Sequence, residues 1–281
     1  MRYERLFSKL YRPVLLEART WHAFERALLS AAGKTISQES RNAGKELSKL
    51  SADAKAARMD NVLEMPTADT ALVYIDGAID KNISALEMEC FGGYDLRDLD
   101  NAIASVSADP AVQNVMLVVN SPGGSVTGVP ESAAKIAALA QTKNVFAFTD
   151  GMMCSAAYYI ASQADQIFGT ASSDIGSIGV YCALLDISQQ LAYEGVTVNF
   201  IKSGNLKGAG APFKPLTADE RAMFQAEVDK IGAMFRDAVT SKRPDVSSAV
   251  MQGQSFFGDD ALAAGLADAI VPDLQTALSY F

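Results

Sequence analysis

Histidine is almost absent from this sequence of 281 residues, which contains only His22. Enzymes that activate a serine or cysteine through a histidine would have to use this single residue, which stands near the beginning of the chain. The sequence therefore argues against a histidine-based triad. Any nucleophile in the rest of the chain needs a different base.

Cysteine pairs and long apolar runs are also lacking. The three cysteines, Cys90, Cys154 and Cys182, are far apart and form no CxxC pair, so neither a disulfide framework nor a zinc site is expected. No other motif calls for a metal or organic cofactor. No segment approaches the roughly 18 consecutive apolar residues of a membrane span, and charged residues interrupt the N-terminus too often for a signal peptide. We expect a cytoplasmic protein without a membrane anchor.

The charge is negative overall and unevenly distributed. The formal net charge is −9, yet residues 1–60 contain 12 Lys and Arg against 7 Asp and Glu, a net charge of +5. The remaining residues, 61–281, carry −14. This division predicts a basic arm on an acidic body, and the arm could meet an acidic partner or a neighbouring copy. Nucleic-acid binding is not expected, because glutamates dilute the positive residues and no nucleic-acid-binding motif accompanies them.

The first 60 residues differ in pattern from the rest. Residues 14–29 place apolar side chains near one face at helical spacing, which predicts an amphipathic helix. Residues 33–60 are polar and have no persistent apolar stripe, which is typical of a linker. We therefore expect a basic helical arm and linker over residues 1–60 and a folded domain over 61–281, with the boundary near Asn61.

Short apolar runs alternate with helical patterns from Ala71 onward. This alternation predicts an α/β fold of repeated βαβ units with a largely parallel sheet. Thr217 to Glu220 has the form of a capping box and predicts the start of a long helix. The predicted strands cover 71–76, 115–120, 144–149, 197–201 and 268–271, and the predicted helices cover 96–107, 126–139, the residues after Thr217, and 274–280.

Three loops follow predicted strands, where the active sites of open α/β sheets lie. The first is Asn120–Ser125, whose paired glycines let the backbone approach a ligand. The second carries Ser155 at a strand-to-helix turn. There the serine is either an N-cap or a nucleophile with helix N–H groups beside it. Cys154 next to it is a less suitable nucleophile, because no histidine stands nearby in sequence to activate it. The third loop, residues 202–210, contains two lysines.

Lysine is the remaining candidate for a base. Its ordinary pKa of about 10.4 must fall by roughly 3 units to act near neutral pH, which corresponds to about 4 kcal/mol. Lys207 has apolar and small neighbours and suits that demand better than Lys202 at the strand edge, although either could be a solvated loop charge. A serine hydroxyl that accepts a hydrogen bond from the lysine would help to orient it, and Ser177, in the stretch Gly176-Ser-Ile-Gly179, is a candidate for that role.

Together these segments resemble one known family. The motifs NSPGGS (120–125), DGMMCSAAYYIAS (150–162), SSDIGSIGV (172–180) and SGNLKGAGAPFKPLTADE (203–220) are similar, in this order, to the signal peptide peptidase A family of serine proteases. The similarity covers roughly residues 70–272. It implies a Clp-protease-like (crotonase-like) α/β fold and a Ser/Lys dyad.

Position by position, the resemblance assigns roles to individual residues. It implies that Ser155 is the nucleophile, Lys207 the general base and Ser177 the residue that orients the lysine. It also implies an oxyanion hole formed by the N–H groups of Gly124 and Ala156. Gly123 is the neighbouring alternative to Gly124.

The opening residues, RLFSKLYRPVLLEARTWHAFERALL, resemble the capsid-assembly proteases of tailed phages, a branch of the same family. That resemblance implies scaffold and capsid proteins as polypeptide substrates, small or apolar residues at the cleaved bond, and a ring-shaped homo-oligomer in the host cytoplasm or prohead. Some members carry a fused scaffold; because the sequence stops at Phe281, a separate scaffold or a lost fusion is expected. A soluble cellular peptidase, an acyl-CoA-binding enzyme and an inert assembly factor are the alternatives.

Overall fold

The computed structural model describes residues 61–83 and 93–281, together with the backbone of Val14–Leu16. His22, Cys90 and the predicted linker lie outside the described residues. The boundary predicted near Asn61 therefore stays a prediction.

Thirteen strands and seven α-helices make up the described part of the chain. The strands are β1 (Val14–Leu16), β2 (Leu63–Glu64), β3 (Thr70–Asp76), β4 (Ile79–Asp80), β5 (Tyr94–Asp95), β6 (Asn114–Asn120), β7 (Gly123–Ser125), β8 (Asn144–Thr149), β9 (Met152–Cys154), β10 (Gln166–Gly169), β11 (Asp174–Gly176), β12 (Ser255–Phe257) and β13 (Ala269–Ile270). The helices are α1 (Leu96–Ala108), α2 (Val129–Leu139), α3 (Ala156–Ala161), α4 (Ser188–Tyr193), α5 (Ala218–Lys242), α6 (Gly258–Ala263) and α7 (Leu274–Leu278).

A central sheet of six strands has the order β13-β10-β8-β6-β3-β2. All neighbouring pairs are parallel except β2 with β3. Successive residues of its strands enter different cores: Val115 and Leu117 face the core that includes α1, α2 and α3, whereas Met116 packs with Phe146 and Phe168 on the other face. Burial on both faces explains why these strands are almost continuously apolar in sequence.

Two smaller sheets lie beyond the carboxyl ends of the central strands. One has the order β1-β7-β4-β5 and the other β12-β11-β9. β6 ends at Asn120 and leads into β7, and β8 ends at Thr149 and leads into β9. The two loops that follow central strands are thereby built into sheets of their own, which fixes the backbone on both sides of the candidate site.

Two of the predicted elements are wrong. Residues 197–201 form no strand; they have β-branched and aromatic side chains, but no described strand offers them an edge to pair with. The helix predicted from Val14 is also wrong at its start, because Val14–Leu16 form β1. The predicted strands at 71–76, 115–120 and 144–149 are confirmed.

Helix α5 begins with the predicted capping box. The hydroxyl oxygen of Thr217 accepts the N–H of Glu220 (3.2 Å), and the Glu220 carboxylate accepts the N–H of Thr217 (3.1 Å). The ammonium of Lys214 donates to both oxygens of this carboxylate, at 2.6 and 2.7 Å. Hydrogen bonds from Lys214 and Thr217 hold the pKa of Glu220 below its ordinary value. The cap therefore ties Lys214 and Thr217 to the first turn of the helix.

Replacing Glu220 with Gln should lower the melting temperature near neutral pH and have little effect in acid. Because the folded-state pKa of this carboxyl is depressed, its contribution to stability is present above the unfolded pKa and is lost as pH falls through the folded pKa. The melting temperatures of the wild type and Glu220→Gln should therefore begin to approach each other as pH falls below the ordinary glutamate pKa of about 4.3, and should meet only below the depressed pKa of the folded state. A difference that stays constant from neutral to acidic pH would contradict this role.

Candidate active site

Ser155 occupies a turn whose backbone is unusual for a serine. It follows β9 and precedes α3, with φ of 55° and ψ of −118°. Among the described non-glycine residues, only Asn82, Ser155 and Ser177 have positive φ. Such a conformation costs about 1–3 kcal/mol and is retained where the surrounding structure fixes it, often at functional sites. A strained strand-to-helix turn with a serine at its apex is the geometry of a nucleophile elbow.

The side chain of Ser155 does not act as an N-cap, although the residue holds the N-cap position of α3. Its residue surface is 1% exposed, and its hydroxyl has no hydrogen-bond partner among the described residues. An unsatisfied buried hydroxyl costs about 1–3 kcal/mol. Of the two roles that the sequence left open for Ser155, the capping role is thus not observed.

Ser177 lies beside Ser155 on the neighbouring strand. β9 and β11 are parallel, and their last paired residues are Cys154 and Gly176. Ser155 directly follows the first of these and Ser177 directly follows the second. The N–H of Ser155 donates to the carbonyl of Gly176 (2.7 Å), and the N–H of Ser177 donates to that of Gln254 (2.8 Å). Both serines are buried and have positive φ. The structure therefore brings these two predicted site residues together.

The glycines of β7 are required by their backbone surroundings. Gly123 has φ of 94°, which other residues rarely adopt. A Cβ on Gly124 would lie 1.8 Å from the carbonyl oxygen of Ile79 in β4. The close approach of β4 thus explains the second glycine of the NSPGGS motif.

Ser121 connects β7 to the Ser155 turn. Its N–H donates to the carbonyl of Met152 (2.7 Å), and its carbonyl accepts the N–H of Cys154 (3.1 Å). Its buried hydroxyl donates to the carbonyl of Gly77 (2.6 Å) and accepts the N–H of Gly123 (3.2 Å). Sequence reasoning missed this role. A hydroxyl residue just before the Pro-Gly-Gly turn was the available signal.

These contacts distinguish between the candidate oxyanion donors. The N–H of Gly123 is already donated to the Ser121 hydroxyl, which makes it the weakest candidate. Ala156 is the first residue of α3, so its N–H has no acceptor within that helix. Gly124 and Ala156 are therefore the stronger pair, and their role stays a prediction.

Lys207 is not brought to Ser155 within the described chain. Its side chain is exposed, in a run of turns, while the Ser155 hydroxyl has no described partner. Lys202, the other candidate, donates to the carbonyl of Asn205, and its ammonium lies 6.0 Å from the ring centre of Phe200. Lys202 is thus held inside its own loop, and Lys207 is left to interact outside it.

The segment around Lys207 exposes an unusual amount of apolar surface. Tyr193 and Ile201 are each 94% exposed. We call the apolar side chains of this segment the 185–206 surface; they are Leu185, Tyr193, Val196, Val198, Phe200, Ile201 and Leu206. So many exposed apolar side chains within one short segment are typical of a site of contact with another protein.

The two cysteine thiols that the structure describes, those of Cys154 and Cys182, are unsuited to nucleophilic attack. Cys154 is fully buried, and its Sγ donates to the carbonyl of Asp174 (3.4 Å). Burial, with a contribution from the charge of Glu227, raises the pKa of the Cys182 thiol, which disfavours its thiolate. Cys154 is therefore an interior residue beneath the Ser155 turn.

Other possible sites are few in the part of the chain that the structure describes. It contains no cluster of three or more His, Cys, Asp and Glu side chains that could bind a metal ion. No described helix combines the length and the apolar character needed to cross a membrane. A hollow of about 510 Å³, lined by residues 170–172 and 270–272, contains none of the predicted site residues.

Comparisons with known proteins agree on one family. The model of peptidase family S49 matches residues 137–279. This match includes Ser155, Ser177 and Lys207 but begins after the glycines of β7. It covers about half of the chain.

Individual relatives include both cellular and viral proteins. A putative protease of Methanocaldococcus jannaschii is 32% identical over 179 residues, which are 63% of this chain and 58% of that protein. Capsid assembly protease C of Escherichia phage lambda is 32% identical over 60% of this chain and 39% of its own length. A putative signal peptide peptidase SppA of Enterococcus faecium is also 32% identical, over 63% of this chain and 53% of its own length. The aligned part thus spans between about two fifths and three fifths of these relatives, and their equal identities do not separate viral from cellular roles.

Proposed function

This chain belongs to peptidase family S49, and from that premise we propose that it is a serine endopeptidase with Ser155 as the nucleophile. One observation carries the proposal: Ser155 has a strained backbone, and its buried hydroxyl neither caps the helix nor bonds any described residue. A structural serine would not need this geometry. We further propose that the parallel central sheet and its two small flanking sheets form a Clp-protease-like (crotonase-like) fold.

Lys207 is the general base in this proposal, and it acts on Ser155 of a neighbouring copy. Two observations support a base from outside the chain: Lys207 is exposed, and the 185–206 surface around it is apolar. Burying that surface against a second copy would also remove water from the lysine, and the loss of water favours the neutral amine that a general base needs. Ser177, beside Ser155, would hold the lysine in position. A closed ring is the assembly in which every Ser155 receives such a partner.

The reaction proceeds by acyl transfer. Neutral Lys207 takes the proton of the Ser155 hydroxyl, whose oxygen attacks the carbonyl carbon of the scissile peptide bond. The N–H groups of Gly124 and Ala156 stabilise the oxyanion. Protonated Lys207 then gives its proton to the leaving amine, and a water molecule, deprotonated by the same lysine, hydrolyses the ester. Polypeptides with small or apolar residues at the cleaved bond are the proposed substrates.

Maturation of a phage or prophage head is the biological role that we propose, with scaffold and capsid proteins cut in the host cytoplasm or inside the prohead. The resemblance of the opening residues to capsid-assembly proteases favours this role, and one relative is named a capsid assembly protease. A soluble cellular peptidase is the second candidate, favoured by the equally similar cellular relatives.

The proposed activity is tested by incubating the wild type and Ser155→Ala separately with casein and with a fluorophosphonate probe. We expect the wild type to cleave casein and to gain the mass of one phosphonate at Ser155, and Ser155→Ala to do neither. Ser162→Ala is a matched control, because Ser162 is also buried but its hydroxyl is bonded to the carbonyl of Tyr159. A folded, oligomeric wild type that neither cleaves nor reacts would favour an inert assembly factor. Binding of CoA to that protein would favour an acyl-CoA enzyme.

A further inference from the structure

The backbone of β1 lies along β7, the strand that carries Gly124. The two strands are antiparallel, with Val14 opposite Ser125, Leu15 opposite Gly124 and Leu16 opposite Gly123. β4 pairs with the other side of β7. The N-terminal segment therefore takes the one edge of β7 that the body of the protein leaves open.

This edge of β7 leads to Ser155. The carbonyl of Ser121, two residues before β7, accepts the N–H of Cys154, and α3 packs against β7. Because β1 runs antiparallel to β7, its three residues lie opposite Ser125, Gly124 and Gly123 in that order, which is the direction along β7 that leads to Ser121 and the Ser155 turn. A polypeptide bound in this direction would present a peptide bond to Ser155 just beyond the residues that pair with Gly124 and Gly123.

An extended polypeptide binds an open sheet edge through its main chain and needs no particular side chains to do so. β1 has the position and direction that such a polypeptide would need on β7. β1 pairs with Gly123, Gly124 and Ser125, so a substrate cannot pair with this edge while β1 is in place.

We propose that β1 occupies the substrate's place on β7, so that the N-terminal segment competes with polypeptide substrates and restrains the peptidase until it is displaced. This inference rests on the proposed function, in which Ser155 is the nucleophile. The charge distribution supports it, because residues 1–60 carry +5 and residues 61–281 carry −14. The resulting attraction favours the bound segment and weakens as salt increases.

The expected size of the competition follows from the fact that the N-terminal segment and β7 belong to the same chain. A segment of the same chain competes at an effective concentration of about 1 mM, so a segment that binds with a Kd of roughly 0.1 mM weakens a competing ligand about tenfold. Two adjacent prolines in β1, Leu15→Pro with Leu16→Pro, should release the edge. Alternate N–H groups of an antiparallel strand point toward its partner, so one of the two prolines removes a hydrogen bond to β7.

The test measures binding in the full-length Ser155→Ala protein, which removes catalysis from the measurement. A fluorescein-labelled peptide with the sequence of residues 11–19 is titrated into this protein and into the same protein with both prolines in β1. We expect the proline variant to bind the peptide about tenfold more tightly. Ser37→Pro with Gln38→Pro, outside β1, should bind it as the parent does.

Hydrogen exchange supplies the second measurement. Amides of 123–125 should exchange faster in the β1 proline variant, whereas those of β6 and β8 should be unchanged and report an intact fold. Equal peptide affinities together with unchanged exchange at 123–125 would overturn the proposal. If the proline variant of Ser155→Ala binds the peptide more tightly, while the proline variant that keeps Ser155 still cleaves no casein, the occupied edge is supported and the proposed peptidase activity fails.

Discussion

Neither Ser155→Ala nor Lys207→Ala should cleave casein alone. An equal mixture of the two variants, dissociated and reassembled, should recover roughly a quarter of the wild-type rate. Each site draws its serine and its lysine from two different subunits, so about one site in four receives both intact residues. Each single variant should lose about 10³-fold or more of the wild-type activity, because the nucleophile and its base act as one unit. The reason for expecting recovery is geometric. The Ser155 hydroxyl has no described partner, and Lys207 extends outward from an exposed loop.

The recovery experiment needs controls for assembly and for the identity of the lysine. Native mass spectrometry establishes that the two variants share an oligomer, and the two variants mixed without dissociation give the baseline. Lys202→Ala is the matched substitution, because Lys202 lies in the same loop but bonds to Asn205 there. The Lys202→Ala variant should cleave casein without being mixed with another variant. No recovery in a proven mixed oligomer would place Ser155 and Lys207 in one subunit.

The central sheet could be predicted from sequence because its strands are buried on both faces. That burial makes β3, β6 and β8 nearly continuous apolar runs, bounded by glycine or polar residues. The capping box at Thr217 was equally readable, because its side chains bond within four residues. In both cases the information that specifies the element is local.

The elements that were predicted wrongly or missed depend on residues that are distant in the sequence. A strand of three residues such as β1 exists only because β7, more than a hundred positions away, offers it an edge. The 197–201 segment has strand-like composition, but no described strand pairs with it. The hydroxyl of Ser121 is similar, since its role depends on Gly77, a distant residue. Long-range backbone contacts of this kind leave little trace in local composition.

In the candidate site, too, local features could be predicted from sequence and features with distant causes could not. The strand-to-helix turn at Ser155 and the paired glycines were visible as motifs, and the structure places Ser155 beside Ser177 through the pairing of β9 with β11. The positive φ of Ser155 and its unbonded hydroxyl could not be predicted from sequence, because they arise from the geometry of the strands around it. The need for glycine at 124 has a distant cause as well, namely the carbonyl oxygen of Ile79.

Gly124→Ala should reduce kcat for casein by about 10² to 10³, the loss that follows removal of one oxyanion donor. The new Cβ would lie 1.8 Å from the carbonyl oxygen of Ile79 and 2.6 Å from its carbonyl carbon. These are backbone atoms of a paired strand, so no rotation of a side chain can relieve the overlap. β7 must move away from β4, and the N–H of Gly124 moves with it.

Gly232→Ala is the matched control for this substitution. Gly232 lies inside α5, and its added Cβ would approach only the flexible end of the Arg236 side chain, at 3.2 Å. Alanine in a helix interior is favoured over glycine by roughly 0.5–1 kcal/mol, so this variant should be fully active and slightly more stable. Circular dichroism must show that Gly124→Ala retains the fold. If folded Gly124→Ala had the kcat of the wild type, the N–H of Gly124 would be excluded as an oxyanion donor. The N–H of Ala156 would then be the remaining strong candidate.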